Sequence, residues 1–171
     1  MSNMIFKRTS VRKYLDTPVT QEQLELLLKA GMAAPSACNA QPWELIAVKK
    51  RETLLKITQI HPHSFMLKEA PLAIVVCADT TKVPAKVPDV EFWPQDCAAV
   101  TENIMLQAAE MGLGTVWMGV FPRKDVTQPI AELFELPSNV KPFSIIAVGT
   151  PGDEVMPKDK FDQSKIHYEK W

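Results

Sequence analysis

The stretch TQEQLELLLKAGMAAPSACNAQPWELIAV, residues 20–48, sets a helix pattern, a polar interruption and a strand pattern side by side. Thr20 and Gln23 have the spacing of a capping box, and leucines at 24, 27 and 28 follow at the spacing of one helix face. Residues 43–48 favour a strand. The ten residues between, 34–43, are more than a short connection needs and carry a hydroxyl and two amides. We therefore treat them as a candidate site.

The rest of the chain continues to mix helices and strands. Four further segments favour regular elements: a short helix at 51–57, a buried central strand at 72–78 that is apolar on both faces, a long helix at 95–111 and a strand at 143–149. A strand at 115–121 is broken by Gly119. Thr127 is expected to cap a helix that is entered through Pro129 and runs to about Leu136. Elements mixed in this order predict a layered α+β or α/β sandwich.

Length and composition place the chain among ordinary globular proteins. Its 171 residues suit one domain, with 46% hydrophobic and 23% charged residues. The net charge of −1 gives no argument for nucleic acid or for an anionic membrane surface, and we predict neither as a partner. The longest apolar run has strand length, and the first residues lack the apolar core of a signal peptide. Three cysteines without metal or redox spacing fit a reducing cytoplasm.

Two segments lack periodicity. Residues 79–94 contain three prolines and are expected to form a functional or flexible loop, in which Phe92 and Trp93 either shape a substrate pocket or anchor the loop in the core. Residues 150–171 are polar but end in IHYEKW, which is unusual for a disordered tail. We expect this tail to be extended and docked, with a partner subunit as one possible surface.

Two groups of cationic residues are candidates for binding a phosphate. Arg8, Thr9, Ser10 and Arg12 combine guanidiniums with hydroxyls, which suits a dianion because arginine donates in bidentate fashion. Lys158 and Lys160 in the tail could reinforce such a site. The alternatives are a solvated basic turn and solvated surface lysines, and spacing alone favours these.

Two further stretches suit the close approach of a ligand. In 34–43, Ser36 and Ala37 leave room beside Pro35, while Asn39 and Gln41 can each donate and accept hydrogen bonds. A polar loop without a ligand is the alternative. In GLGTVWMGVF, residues 112–121, the strand glycine indicates either a backbone approached by a ligand or a simple bulge.

The sequence offers no convincing acid, base or nucleophile. His61 and His63 flank a proline with no carboxylate pair nearby, which favours a loop over a metal site. No serine or cysteine stands in a nucleophile motif. This absence favours a cofactor that carries the chemistry itself.

The candidate motifs together resemble the nitroreductase family of FMN-dependent oxidoreductases. The resemblance rests on RTSVRKYLDTPV, APSACNAQPWELIAV, DCAAVTENIMLQAAEMGLGTVWMGVF and IIAVGTP, which occur in this order along nearly the whole chain. It implies an α+β nitroreductase-like fold, with a central mixed or antiparallel sheet flanked by helices and a tail that embraces the partner subunit. It also implies a homodimer with FMN at the subunit interface.

The resemblance implies roles for individual residues. Those matching Arg8, Ser10 and Arg12 hold the phosphate and ribityl chain, together with basic tail residues, here Lys158 and Lys160. Those matching Pro35, Ser36 and Ala37 line the flavin from the partner chain. The backbone of Gly119 and Val120 faces the ring. The remaining residues that we assign to the cofactor site are Thr9, Asn39, Gln41, Trp117 and Met118.

The implied activity is ping-pong transfer of hydride from NAD(P)H, through flavin N5, to nitroaromatic, quinone or similar acceptors. No protein residue is predicted to be catalytic, and no metal is predicted. Two alternatives stay open: a flavin-binding protein without NAD(P)H turnover, serving as store, sensor or scaffold, and specialised flavin chemistry such as reductive dehalogenation.

Overall fold

A four-stranded antiparallel sheet forms the centre of the computed structural model, which describes residues 3–82, 84 and 90–171. Its strands are β1 (Trp43–Val48), β2 (Leu72–Asp79), β3 (Gly114–Gly119) and β4 (Val140–Gly149). Their order is β1-β2-β4-β3, so β2 and β4 are central and β3 is an edge strand. The continuous apolar run in β2 reflects burial on both faces of the sheet.

Helices cover both faces of this sheet. They are α1 (Met4–Lys7), α2 (Gln21–Met32), α3 (Arg51–Ile60), α4 (Trp93–Glu110) and α5 (Lys124–Leu133). Apolar side chains of α2 and α4 pack on one face, against Ile74 and Val76 among others. Those of α3 and α5 pack on the other, against Val75 and Cys77. The α+β architecture predicted from the sequence is confirmed.

The predicted capping box begins α2. The Thr20 hydroxyl accepts from the Gln23 amide at 3.2 Å, and the Gln23 side chain accepts from the Thr20 amide at 3.0 Å. Leu27 is fully buried on the inner face. Gly31 lies so close to α4 that an added Cβ would stand 2.9 Å from the Ile104 side chain. This glycine therefore sets how closely α2 and α4 pack.

The prediction for the start of α5 was wrong. The helix begins at Lys124, and Pro129 lies inside it. Thr127 does not cap it, because its hydroxyl donates to the Val120 carbonyl at 3.1 Å. The helix also ends at Leu133, earlier than predicted, and Glu135 beyond it has a left-handed φ of 51°.

The loop predicted over 79–94 lies partly outside the described residues. At its described end, Trp93 begins α4 and is only 4% exposed. Its ring packs edge-on against Phe121, with the centroids 4.6 Å apart. For Trp93, this packing supports the role of core anchor.

The tail follows β4 without a long regular element. Pro151 forms an isolated bridge with Tyr14, and a single 3₁₀ turn occurs at Gln163–Lys165. Every residue from 153 to 171 is exposed. Phe161, Tyr168 and Trp171 are 75%, 79% and 100% exposed, so within one chain these aromatic side chains have little apolar surface to cover them.

Candidate cofactor site

The N-terminal segment lies along the free edge of β3. Ser10 pairs with Thr115 in an isolated parallel bridge, and the Val11 amide donates to the Thr115 carbonyl at 2.8 Å. Gly114 permits this approach, because a Cβ there would stand 2.8 Å from the Val11 side chain. The contact fixes the position of the residues on either side of Val11.

The two predicted cationic groups meet in one cleft. This N-terminal cleft has a volume of about 650 Å³, within the range of small-molecule sites. Of the predicted residues it contains Thr9, Ser10, Arg12, Lys158 and Lys160. Segments almost 150 positions apart in the chain therefore line the same space.

The N-terminal cleft also contains Lys13, Glu69, Asp153 and Glu154. Lys13 is already paired, because its Nζ lies 3.0 Å from Asp153, and this hydrogen bond raises the pKa of Lys13. Among the described residues of the cleft, Arg12 and the two tail lysines are the cations without such an ion pair.

Arg8 lies outside the N-terminal cleft. Its Nε lies 3.1 Å from a Glu102 carboxylate oxygen on α4, and its side chain is 17% exposed. It lines another cleft of about 350 Å³, which shares Thr9, Val11 and Val155 with the N-terminal cleft. Arg8 and Arg12 therefore line different but adjoining clefts, although both belong to the same short motif.

A second cleft, of about 320 Å³, lies at the end of β3. It is lined by Arg12, His61, His63, Met66, residues 116–119 and Arg123, and we call it the Gly119 cleft. Arg12 lines both this cleft and the N-terminal cleft. The two clefts therefore adjoin at Arg12.

The backbone of Gly119 faces the free edge of the sheet. Residues of an antiparallel pair alternately bond to the partner strand and point away from it. The Val120 amide donates to the Phe143 carbonyl at 3.0 Å, so the amide and carbonyl of Gly119 point away from β4. Gly119 is exposed, and a Cβ added to it would meet nothing within 4 Å.

The neighbours of Gly119 serve mainly as core. Met118 is 3% exposed and Val120 is fully buried. The Trp117 ring packs against Phe143, with the centroids 5.8 Å apart. Within residues 117–120, the glycine backbone is therefore the group most open to a ligand.

His61 was missed as a site residue by sequence reasoning. It is 2% exposed, and its Nε2 lies 3.0 Å from the Gly119 carbonyl oxygen. Its Nδ1 accepts a hydrogen bond from the His63 amide at 3.2 Å. No local sequence pattern indicates this contact, because it joins residues 58 positions apart.

The loop at 36–41 is conformationally unusual. Cys38, Asn39 and Gln41 have left-handed φ angles of 48°, 55° and 49°, a region that residues other than glycine seldom adopt. The Ser36 hydroxyl closes the loop by accepting from the Gln41 amide at 3.0 Å. Backbone strain of this kind concentrates at functional sites. The amide side chains of Asn39 and Gln41 are exposed.

Asp96, near the start of α4, anchors this loop to the body of the protein. Its carboxylate accepts from the Ala37 amide at 2.9 Å. Burial raises the pKa of Asp96, and the hydrogen bond from Ala37 partly opposes that rise. Described residues 35–41 line neither the N-terminal cleft nor the Gly119 cleft. Within one chain, the loop at 35–41 and the two clefts therefore do not form a single site.

Neither a metal-binding cluster nor a membrane-spanning helix is found within residues 3–82, 84 and 90–171. No group of three or more His, Cys, Asp or Glu side chains is arranged to hold a metal ion. No helix in this part of the chain is long and apolar enough to cross a membrane.

Comparison with known proteins establishes the family. The sequence matches the Nitroreductase family over residues 5–150. The chain belongs to the nitroreductase family. A relative in Archaeoglobus fulgidus, provisionally named NADH dehydrogenase/NAD(P)H nitroreductase, is 44% identical over 98% of this chain and 97% of its own length. FMN reductase [NAD(P)H] of Bacillus subtilis is 28% identical over 94% of this chain and 69% of its own.

A solved nitroreductase structure agrees with this fold. The FMN-dependent nitroreductase of Clostridium difficile R20291 superposes with a TM-score of 0.90 at 34% identity, and the match covers 100% of both chains. The family and fold inferred from the sequence are thus confirmed. Lys158 and Lys160 lie beyond residues 5–150 that match the family, so their assignment to a candidate site rests on their position in the N-terminal cleft.

Proposed function

We propose that this nitroreductase-family protein is an FMN-dependent oxidoreductase that uses NAD(P)H as reductant. The observation that carries the proposal is the pair of adjoining clefts. The N-terminal cleft has the cations for a phosphate, the Gly119 cleft has an open backbone for a planar ring, and Arg12 lines both.

The donor set of the N-terminal cleft fits the phosphate of FMN. A phosphate monoester carries close to two negative charges, and Arg12 with Lys158 and Lys160 can neutralise them through short charge-assisted hydrogen bonds. Ser10 and Thr9 add neutral donors for the phosphate or the ribityl hydroxyls. Arg8 would support the site from the neighbouring cleft, where its Nε lies 3.1 Å from Glu102.

The Gly119 cleft fits the ring. The position of the missing Cβ at Gly119 is empty within 4 Å, so a flat aromatic group can approach the backbone there. The Gly119 amide is the donor that would orient the ring, because the Val120 amide is committed to Phe143. When bound, FMN would supply hydride transfer in a ping-pong cycle between NAD(P)H and a nitroaromatic, quinone or similar acceptor.

The proposed enzyme is a homodimer that completes each site with a second chain. Residues 35–41 line neither cleft of their own chain, and the aromatic side chains of the tail are exposed. We assign Pro35, Ser36 and Ala37 to the flavin of the partner chain, with Asn39 and Gln41 fixing the loop or binding the polar ring edge. The three cysteines are free thiols, which supports a cytoplasmic location.

Anaerobic titration tests this function. The purified protein, reconstituted with FMN, is mixed with NADH or NADPH while flavin absorbance is followed, and is then reoxidised with a panel of nitroaromatics and quinones. Bleaching by a reduced nicotinamide and recovery with an acceptor are expected. Protein that fails to bind FMN would refute the proposal. Bound flavin that neither nicotinamide bleaches would instead favour a flavin-binding protein without turnover.

A further inference from the structure

The peptide group that follows Gly119 is held from both sides. Its carbonyl oxygen lies 3.0 Å from His61 Nε2, and its amide nitrogen, which belongs to Val120, donates to the Phe143 carbonyl at 3.0 Å. Glycine has more backbone freedom than any other residue, so without these bonds the end of β3 could rotate. The two bonds restrict the peptide to one orientation.

The hydrogen bonds of His61 define its tautomer. Nδ1 faces the His63 amide, a donor, so Nδ1 must be the acceptor and carry no proton. The proton of the neutral ring then lies on Nε2, which donates to Gly119. Because the ring is 2% exposed, little water can replace either bond.

The turn that carries His61 is itself well ordered by hydrogen bonds. The His61 amide donates to the Ile57 carbonyl at 2.9 Å and so terminates α3. The Ser64 hydroxyl, which is fully buried, donates to the His61 carbonyl at 2.6 Å. The imidazole is therefore presented to β3 from a fixed backbone.

We infer that His61 is a positioning residue: as the neutral Nε2–H tautomer, it holds the Gly119 peptide so that the adjoining amide of Gly119 faces the flavin. This inference rests on the proposed function. The imidazole bonds to the Gly119 carbonyl, which points to the same free edge of the sheet as the Gly119 amide, and it acts through the backbone. A donor on the carbonyl oxygen also polarises the peptide and those bonded to it.

The tautomer can be tested without any flavin. In the full-length protein, nitrogen-15 NMR of the histidine rings distinguishes a protonated Nε2 from a protonated Nδ1. We expect His61 to show the Nε2–H form both before and after FMN is added. An Nδ1–H form, or a ring that exchanges between the two forms, would overturn the inference whether or not the protein is an oxidoreductase.

Two substitutions of similar chemistry test the role. In His61→Gln, the side-chain amide reaches the position of Nε2 and can still donate to Gly119. In His61→Asn it reaches only the position of Nδ1, so the bond to the His63 amide can persist while the bond to Gly119 is lost. Both variants keep a polar group in the buried site, which makes them a matched pair for folding.

The expected difference lies in the flavin and in hydride transfer. His61→Asn should reduce the rate of anaerobic bleaching by NAD(P)H on the order of ten- to a hundred-fold, because small misplacement of reacting groups is costly. It should also change the absorption spectrum of bound FMN, whereas His61→Gln should resemble wild type in both. Equal behaviour of the two variants, with similar melting temperatures, would refute the role of His61. If the wild-type protein itself does not bind or bleach FMN, the proposed function fails instead.

Discussion

Replacement of Gly119 by alanine should lower the affinity for FMN without lowering the stability of the fold. In the chain alone, the new methyl group would meet nothing within 4 Å, and Gly119 does not have a left-handed φ. The free energy of unfolding should therefore not fall by more than about 0.5 kcal/mol. It could rise by about 0.4–1 kcal/mol, because alanine restricts the unfolded chain more than glycine does.

The same methyl group should interfere with FMN. It would occupy the space where the ring is proposed to approach the backbone, and overpacking of this kind costs about 1–3 kcal/mol. At about 1.4 kcal/mol per factor of ten, FMN should bind roughly 5- to 150-fold more weakly.

Gly114→Ala provides the contrasting variant. Its Cβ would lie 2.8 Å from the Val11 side chain, so the N-terminal segment must move. We expect a lower melting temperature as well as weaker FMN binding. Thermal unfolding of the flavin-free proteins and fluorescence titration with FMN measure the two effects separately. The reasoning is refuted if Gly119→Ala binds FMN as tightly as wild type, or if it melts as early as Gly114→Ala.

Three further predictions concern binding, helix capping and pH. Arg12→Ala should weaken FMN binding by about 1.5–3 kcal/mol in a fluorescence titration, whereas Lys13→Ala should have less effect because Lys13 is already paired with Asp153; equal losses would contradict this assignment. Thr20→Ala should cost about 1 kcal/mol, or about 2–4 °C in thermal melting, with FMN affinity unchanged. Burial raises the pKa of Asp96 above its ordinary value of 3.8, so the folded state binds this proton more tightly than the unfolded state does. The contribution of Asp96 to the free energy of unfolding therefore falls as the pH rises from about 3.8 through the raised pKa. Denaturant unfolding at several pH values should show that the free energy of unfolding falls less with pH in Asp96→Asn than in the wild type. An equal fall in both proteins would refute the burial of Asp96 as its cause.

The sequence correctly predicted those helices and strands that depend on residues close together in the chain. The capping box of Thr20 and Gln23 and the apolar run at 72–78 act through near neighbours, and each appears in the structure. At the start of α5, the Thr127 hydroxyl donates instead to the carbonyl of Val120, which directly follows β3, and so does not cap the helix. Propensity at Thr127 and Pro129 alone therefore placed the start too late.

The sequence identified the cationic candidates of the site but not the residues that support it. Arg12 and Lys158 are candidates because phosphate binding would require their chemistry, and only folding brings them into one cleft. The different environment of Arg8 arises from Glu102 on another element. His61 acts through a backbone atom of Gly119, and such contacts leave no characteristic residue pattern in either segment.

The contacts that build the site also protect the edge of the sheet. An unpaired edge strand is a template on which another chain can add. The outward carbonyls of Thr115 and Gly119 are occupied by the Val11 amide and the His61 ring, respectively. Loss of the N-terminal segment would therefore remove more than the proposed phosphate-binding motif. It would also uncover part of β3 for strand addition and so favour aggregation.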